Sequence, residues 1–296
     1  MRGLDLMRGI VIVLMVIDHV RWFLSSARFD PTDPAQSTIA LFFTRWVTHF
    51  CAPVFMLLAG AGAYLSLGRG RTRGELSWFL LTRGLWLIVL EVTVARLGWH
   101  FNFDYGYTGL LVFWALGWSM IALAALVRLP VRWVAALGIL MMATHNLFDG
   151  VEAAGSWLWT ILHRPGTLML GPDVAVFVLY PLVPWIGVMA AGYAFGALVT
   201  LPPVRRDPLY VRLGVTLTAA FVVLRLASVY GDPSPWTTQE TWWRTGLSFL
   251  NTTKYPASLL FLLMTLGPAI AALPWLERRR GRMADVVLTF GRVPLF

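Results

Sequence analysis

Charge is scarce in this chain. Only 13% of its 296 residues are charged, roughly half the fraction of an ordinary soluble domain, which excludes a water-soluble globule. Lysine occurs once, at Lys254, so the basic side chains are almost all arginine. Cysteine also occurs once, at Cys51. That excludes an intrachain disulfide and leaves a small packing residue in an apolar run. There is no HExxH or CxxC spacing, no phosphate-binding glycine loop and no Gly-x-Ser-x-Gly elbow. Metalloprotease, P-loop ATPase and serine-hydrolase readings fall away, and no metal is expected.

What is abundant is apolar surface. The chain is 58% hydrophobic, with a mean hydropathy of +0.68. Its runs are long enough to cross a bilayer, at roughly 8–25, 48–68, 77–98, 109–127, 132–148, 173–199, 211–230 and 256–276, with another beginning near 286. The expected fold is all-α: a polytopic transmembrane helical bundle of about nine spans, the last truncated at Phe296. We read residues 1–296 as a single integral membrane domain whose C-terminal part is missing. The first run has no small-residue cleavage site and is expected to remain as an anchor. A net charge of +9 could suggest nucleic acid, but the arginines sit in short loops at alternate span ends. One set holds Arg2, Arg8, Arg69, Arg71, Arg73, Arg128, Arg132, Arg205, Arg206, Arg212 and Arg278 to Arg282, whereas the opposite set is sparser. The positive-inside rule then places the N-terminus in the cytoplasm. The partner is the lipid bilayer rather than nucleic acid.

Packing signals are plain. Gly192-x-x-x-Gly196 and Ala59-Gly60-Ala61-Gly62 permit close helix approach. Residues 231–254, with Trp236, Trp242 and Trp243, read as an external interfacial helix. Glu91 is expected to pair with a basic group such as Arg225.

The chemistry points to Arg8-Gly-Ile-Val-Ile-Val-Leu-Met-Val-Ile-Asp-His19. Eleven residues separate Arg8 from His19; at about 100° per residue both lie on one helix stripe, about 16 Å apart along the axis. A cation at the membrane entry and an imidazole deep inside fit an anion held at one end and chemistry at the other. Intramembrane ionisable groups are functional candidates by default. All five histidines, His19, His49, His100, His145 and His163, fall in the outer half of this topology, with Asp18, Glu91, Asn146 and Asp149. Histidine is suited to accept a proton from a hydroxyl or amine near neutral pH. His49 shares a helix face with Arg45, and His145 and Asp149 stand one turn apart, a pair that also suits a helix end.

Several stretches resemble bacterial membrane proteins related to heparan-alpha-glucosaminide N-acetyltransferase. They are Leu4-Asp5-Leu6-Met7-Arg8-Gly9 with the run to Asp18-His19, Thr48-His49-Phe50-Cys51-Ala52-Pro53-Val54-Phe55 with Leu58-Ala59-Gly60, and Tyr180-Pro181-Leu182-Val183-Pro184-Trp185-Ile186-Gly187. Lys254-Tyr255-Pro256-x-Ser258-Leu259-Leu260-Phe261 and Phe290-Gly291-Arg292-Val293-Pro294-Leu295-Phe296 continue the likeness. The Arg-x10-His arrangement is also similar to the signature of acyltransferase family 3, which modifies surface glycans. The resemblance implies a bacterial plasma (inner) membrane protein that moves an acetyl group from cytoplasmic acetyl-CoA to a saccharide or other hydroxyl or amine acceptor outside. It implies Arg8 as the CoA anchor, His19 as the reacting imidazole, assisted by Asp18 and His49, and Asn146, His145 and Lys254 as acceptor contacts. A homodimer is carried as a candidate assembly. In the animal enzymes an Asn matches His19 and the catalytic His lies in the following outer loop. Residues 22–48 hold no histidine here, which places the base at His19 or His49. The alternative is a transporter or permease for a small polar solute, although the two related halves with broken helices that mark many transporters are not evident.

Overall fold

The computed structural model describes residues 2–26, 28–151 and 156–292. In chain order, α1 (Arg2–Leu24) is followed by α2 (Ile39–Trp46), a 3-10 turn (Val47–Phe50) and α3 (Cys51–Leu67). Next come α4 (Arg73–Leu90), a π-helical turn (Glu91–Ala95), α5 (Arg96–His100), β1 (Tyr107–Leu110) and α6 (Val112–Leu126). Then α7 (Val131–Thr144) runs into a second 3-10 turn (His145–Phe148), and α8 (Trp157–Leu162), β2 (Gly166–Gly171) and β3 (Val174–Val178) follow. Finally come α9 (Leu182–Val199), α10 (Pro203–Ala227), α11 (Trp242–Leu250), α12 (Leu259–Arg278) and α13 (Arg282–Arg292).

Among the described residues, six helical stretches are long and apolar enough to cross a membrane: Ile39–Leu67, Arg73–His100, Val131–Phe148, Leu182–Val199, Pro203–Ala227 and Leu259–Arg278. Against the nine spans expected, the differences have local causes. Helix α1 has 23 residues but carries Arg2, Asp5, Arg8, Asp18 and Arg21, and charge at membrane depth is costly. Helix α6 reaches only 15 residues. The stretch expected to span from 173 opens as a strand, because Val174-Ala-Val-Phe-Val178 is a β-branched and aromatic run behind the turn residues Gly171-Pro172-Asp173. The fold is therefore mostly helical but not all-α: β1, β3 and β2 lie side by side in that order, β1 parallel and β2 antiparallel to β3. Helix α13, with 11 residues, occupies the place of the expected ninth span; Val293 to Phe296 of that motif lie outside the described residues.

Local signals set the helix starts. Thr38 accepts from the Leu41 N–H at the head of α2, and Thr72 and Glu75 form a reciprocal capping box at the head of α4. Pro130, Pro181 and Pro202 precede α7, α9 and α10, where a missing N–H costs nothing.

The chain divides into two compact units, one comprising Met1–Phe55, Leu201–Thr253 and Leu259–Phe296, the other Met56–Thr200 and Lys254–Ser258. In the first unit α10 packs against α12, and α1 against α12 and α13. Gly214 faces Gly267, and Gly9 and Gly291 bring α1 and α13 so close that an added Cβ would strike the Val287 or Asp5 carbonyl. The Arg225 side chain is 2% exposed, and its guanidinium donates to the carbonyls of Phe249 (3.0 Å), Ser234 (2.7 Å), Ser248 (3.1 Å) and Asn251 (2.6 Å). Asp232 stands 3.8 Å away and accepts from the Thr253 backbone and hydroxyl. One buried cation thus organises the segment holding α11, which is nine residues long with Trp242 exposed, where an interfacial helix was expected.

In the second unit α3 meets α9 through Gly60 and Gly192, α4 meets α6 through Gly84 and Gly117, and α7 meets α9 through Gly138 and Gly187. Small residues let backbones approach and gain dispersion where lipid offers no hydrophobic drive between helices. Buried Glu91 accepts from the Trp114 N–H at 2.8 Å, capping α6. It serves a helix end, and Arg225 takes Asp232, in place of the pair expected between them. Arg96, also buried, donates to the carbonyls of Asn102 and Asp104 and fixes the loop leading to β1.

These close approaches predict opposite signs for two similar substitutions. A Cβ at Gly192 would overlap the Leu57 backbone, whereas Gly62 has nothing within 4 Å. Gly192→Ala should destabilise by about 1–3 kcal/mol, and Gly62→Ala should be neutral or stabilising by up to about 1 kcal/mol. Thermal unfolding in detergent checks both; equal melting temperatures would contradict the packing.

Candidate functional site

Helix α1 is continuous from Arg2 to Leu24, so the stripe expected from spacing exists. Along it Leu4 and Ile12 are buried and Arg8, Met15 and His19 half-buried, while Val13, Val16, Ile17 and Val20 on another face are exposed. His19 Nδ1 lies 2.6 Å from the Met15 carbonyl oxygen. A carbonyl only accepts, so Nδ1 carries the proton and Nε2 the lone pair. The helix backbone itself selects the tautomer of this imidazole.

Asp18 is bound on both oxygens. Oδ1 accepts from Arg21 Nη2 at 2.9 Å and Oδ2 from Arg45 Nη1 at 2.6 Å. The second pair ties α2 to α1. Two turns nearer the start of α1, Cys51 Sγ donates to the Val11 carbonyl at 3.3 Å. These two anchors hold residues 45–51 alongside residues 11–18, and His49 lies between them. His49 is buried, with its ring edge-on to Phe261 of α12, centroids 5.4 Å apart. At the other end, Arg8 Nη1 donates to Asp5 Oδ1 (3.2 Å) and to the Gly291 carbonyl (3.0 Å) at the end of α13.

Arg8, Asp18, His19 and His49 belong to the first unit, and His145, Asn146 and Lys254 to the second. His145 and Asn146 lie in the 3-10 turn closing α7, both buried. Asn146 Nδ2 donates to Asp149 Oδ2 at 2.7 Å, and Asp149 Oδ1 lies 3.1 Å from His163 Nε2. His145 Nδ1 donates to the Met142 carbonyl at 3.0 Å, and its ring stands 6.2 Å from that of His163. The Ala257 backbone stands beside the His145 ring. Lys254 is separate from this group in its contacts: Nζ lies 5.2 Å from the centre of the Tyr255 ring, whose hydroxyl is 3.3 Å from that of Tyr180.

Sequence spacing pairs His145 with Asp149, yet the carboxylate takes His163 instead. Fourteen residues and a second helix separate that pair, and no periodicity announces it. The Asp18–Arg45 pair is equally non-local. Among the described residues, no group of three or more His, Cys, Asp or Glu could hold a metal ion.

Burial pushes the Asp149 carboxyl up, but hydrogen bonds from His163 and Asn146 and the neighbouring imidazoles outweigh it and hold it below the usual carboxylate range. A carboxyl with a depressed folded-state value contributes stability in full above the unfolded value, about 3.9. That contribution disappears as pH falls through the lower folded value. The melting temperature should therefore drop on acidification below about pH 4, and Asp149→Asn should flatten part of that drop. An identical pH profile in the variant would contradict the assignment.

Residues 1–233 match the family model described as heparan-alpha-glucosaminide N-acetyltransferase, catalytic. The match takes in α1 to α10 and the motifs around Arg8, His19, His49 and Tyr180; Lys254-Tyr255-Pro256 and the stretch from Phe290 lie beyond it. No curated protein matches the chain. With six apolar helices long enough to span, this is a multi-pass membrane protein, and it belongs to the heparan-alpha-glucosaminide N-acetyltransferase catalytic-domain family.

Proposed function

We propose that this protein is a transmembrane acyltransferase of the bacterial plasma membrane, moving an acetyl group from cytoplasmic acetyl-CoA to an amine or hydroxyl of a saccharide acceptor on the other side. Residues 1–296 serve this as one catalytic domain built of two compact units. The observation that carries the reading is the stripe of α1: a guanidinium and an oriented imidazole, eleven residues apart on one unbroken helix in a family of acetyltransferases. Arg8 already faces two oxygen acceptors, the Asp5 carboxylate and the Gly291 carbonyl. A donor phosphate offers the same kind of partner with more charge, and arginine suits it as a bidentate donor.

His19 supplies the Nε2 lone pair. Used as a general base, it takes the proton from the acceptor nitrogen or oxygen as that atom attacks the thioester carbonyl. The C–S bond then breaks, the CoA sulfur leaves, and the imidazolium returns the proton to it. Used as a nucleophile, Nε2 bonds to the acetyl carbon as the C–S bond breaks and CoA leaves as thiolate; the acceptor then takes the acetyl carbon as the C–Nε2 bond breaks, and its proton passes to the thiolate. Asp18, bound by two guanidiniums, serves as a brace that holds Arg21 and Arg45 at the residue next to His19. His49 assists from the adjoining turn.

Purified protein given acetyl-labelled acetyl-CoA and glucosamine should yield labelled N-acetylglucosamine, and His19→Ala should abolish it. Arg8→Ala should raise KM for acetyl-CoA roughly tenfold, the worth of one charge-assisted hydrogen bond, with kcat at saturation little changed. Full activity in His19→Ala would remove the imidazole from the mechanism. An unchanged KM in Arg8→Ala would remove the anchor.

A further inference from the structure

Two arginines of the second unit converge on one ring. Arg71, just ahead of α4, holds its guanidinium 4.1 Å from the centre of the Phe79 ring, and Arg83, one turn beyond that ring, holds its own at 5.5 Å. Arg71 reaches forward along the helix. Arg83 leans back toward the helix start, the direction in which a long helical side chain points. Both are exposed. Contact with a ring face attracts a cation but leaves its N–H donors unused. Among the described residues neither guanidinium has a hydrogen bond or a salt bridge. Glu75 attracts Arg71, but its Oε2 already accepts from the Thr72 N–H at 2.7 Å and from the Thr72 hydroxyl at 2.9 Å.

Depth gives this pair its meaning. Arg83 stands ten residues into the apolar stretch Arg73–His100, about 15 Å along the helix axis. Beyond it on the outward side come Trp86 and Val89, 52% and 47% exposed, whereas Leu76, Leu80 and Leu87 are buried. Two cations therefore meet an apolar, outward-facing surface. A charge at such depth is costly unless it finds an anion or reaches the headgroups. A lipid answers both halves of this surface. Its phosphate has oxygens for two guanidiniums, and its acyl chain has Trp86 and Val89 to lie against. Charge then decides the kind of lipid. Two arginines beside one engaged carboxylate leave a net positive charge, which an anionic headgroup balances and a zwitterionic one, carrying its own ammonium, does not.

We propose that Arg71 and Arg83 form a binding site for an anionic glycerophospholipid of the leaflet that meets the start of α4. The phosphodiester accepts from both guanidiniums beside Phe79, and one acyl chain runs along Trp86 and Val89. The site stands on this geometry and is independent of the acetyl-transfer reading.

Native mass spectrometry of the intact protein released from detergent tests it, with phosphatidylglycerol and a phosphatidylcholine of matching acyl chains added in equal amounts. The wild type should retain phosphatidylglycerol in preference to phosphatidylcholine. Arg71→Gln and Arg83→Gln should each lower that retention roughly tenfold, the worth of one charge-assisted hydrogen bond. Arg212→Gln removes the same charge from the first unit and should leave retention unchanged. Equal retention of the two lipids by the wild type overturns the proposal and requires no variant to fold. Full retention in Arg83→Gln also overturns it, as does an equal loss in Arg212→Gln, which would make total charge the cause. Displacement of phosphatidylglycerol by excess inorganic phosphate or CoA would assign the two arginines to a soluble phosphate and likewise overturn it.

Discussion

A polar group at membrane depth must find its partner within the chain, because lipid offers none. That constraint shapes each unit of this protein more than any single apolar contact. In the first unit the Arg225 guanidinium gathers four backbone carbonyls and an aspartate, and so determines the path of residues 232–253. Asp18 takes two arginines, one from its own helix and one from α2, and thereby sets where residues 45–51 lie against α1. In the second unit Glu91 becomes the cap of a neighbouring helix and Arg96 the staple of a loop. Apolar packing through paired glycines then brings backbones together around these fixed points.

The same requirement separates the groups that stabilise from those that react. A half-buried carboxylate engaged on both oxygens, such as Asp18, has little capacity left for proton transfer, but it can fix what surrounds it. An imidazole held through one nitrogen has its tautomer fixed. His19 is held through Nδ1 by a main-chain carbonyl, and His163 through Nε2 by a carboxylate. The two rings are therefore held through opposite nitrogens. This division follows from tautomer chemistry and not from burial, since His19 is half-buried and His163 nearly enclosed.

Much of this was legible in the residue order, and the limits are physical. The stripe from Arg8 to His19 follows from helix periodicity alone, as do the close approaches at Gly60 and Gly192. Apolar length located the six long apolar helices but was blind to charge in α1 and to the β-branched run at Val174. It also misplaced helix starts: α10 opens at Pro203, ahead of the apolar residues, because proline is preorganised for a first turn. Partners far apart in sequence stayed hidden. Nothing near Asp18 points to Arg45, nothing near Asp149 points to His163, and charge alone suggests a Glu91–Arg225 pair where Glu91 instead caps α6 and Arg225 takes Asp232. Such pairs are created by tertiary packing and have no local signature.

The central claim is that the acetyl group crosses the bilayer in the course of transfer. Protein in sealed proteoliposomes of known orientation, with labelled acetyl-CoA confined to the cytoplasmic-face compartment and glucosamine to the opposite one, tests it directly. The account requires labelled N-acetylglucosamine to accumulate in the glucosamine compartment while CoA stays with its donor. Product that forms only when donor and amine share one compartment would contradict it.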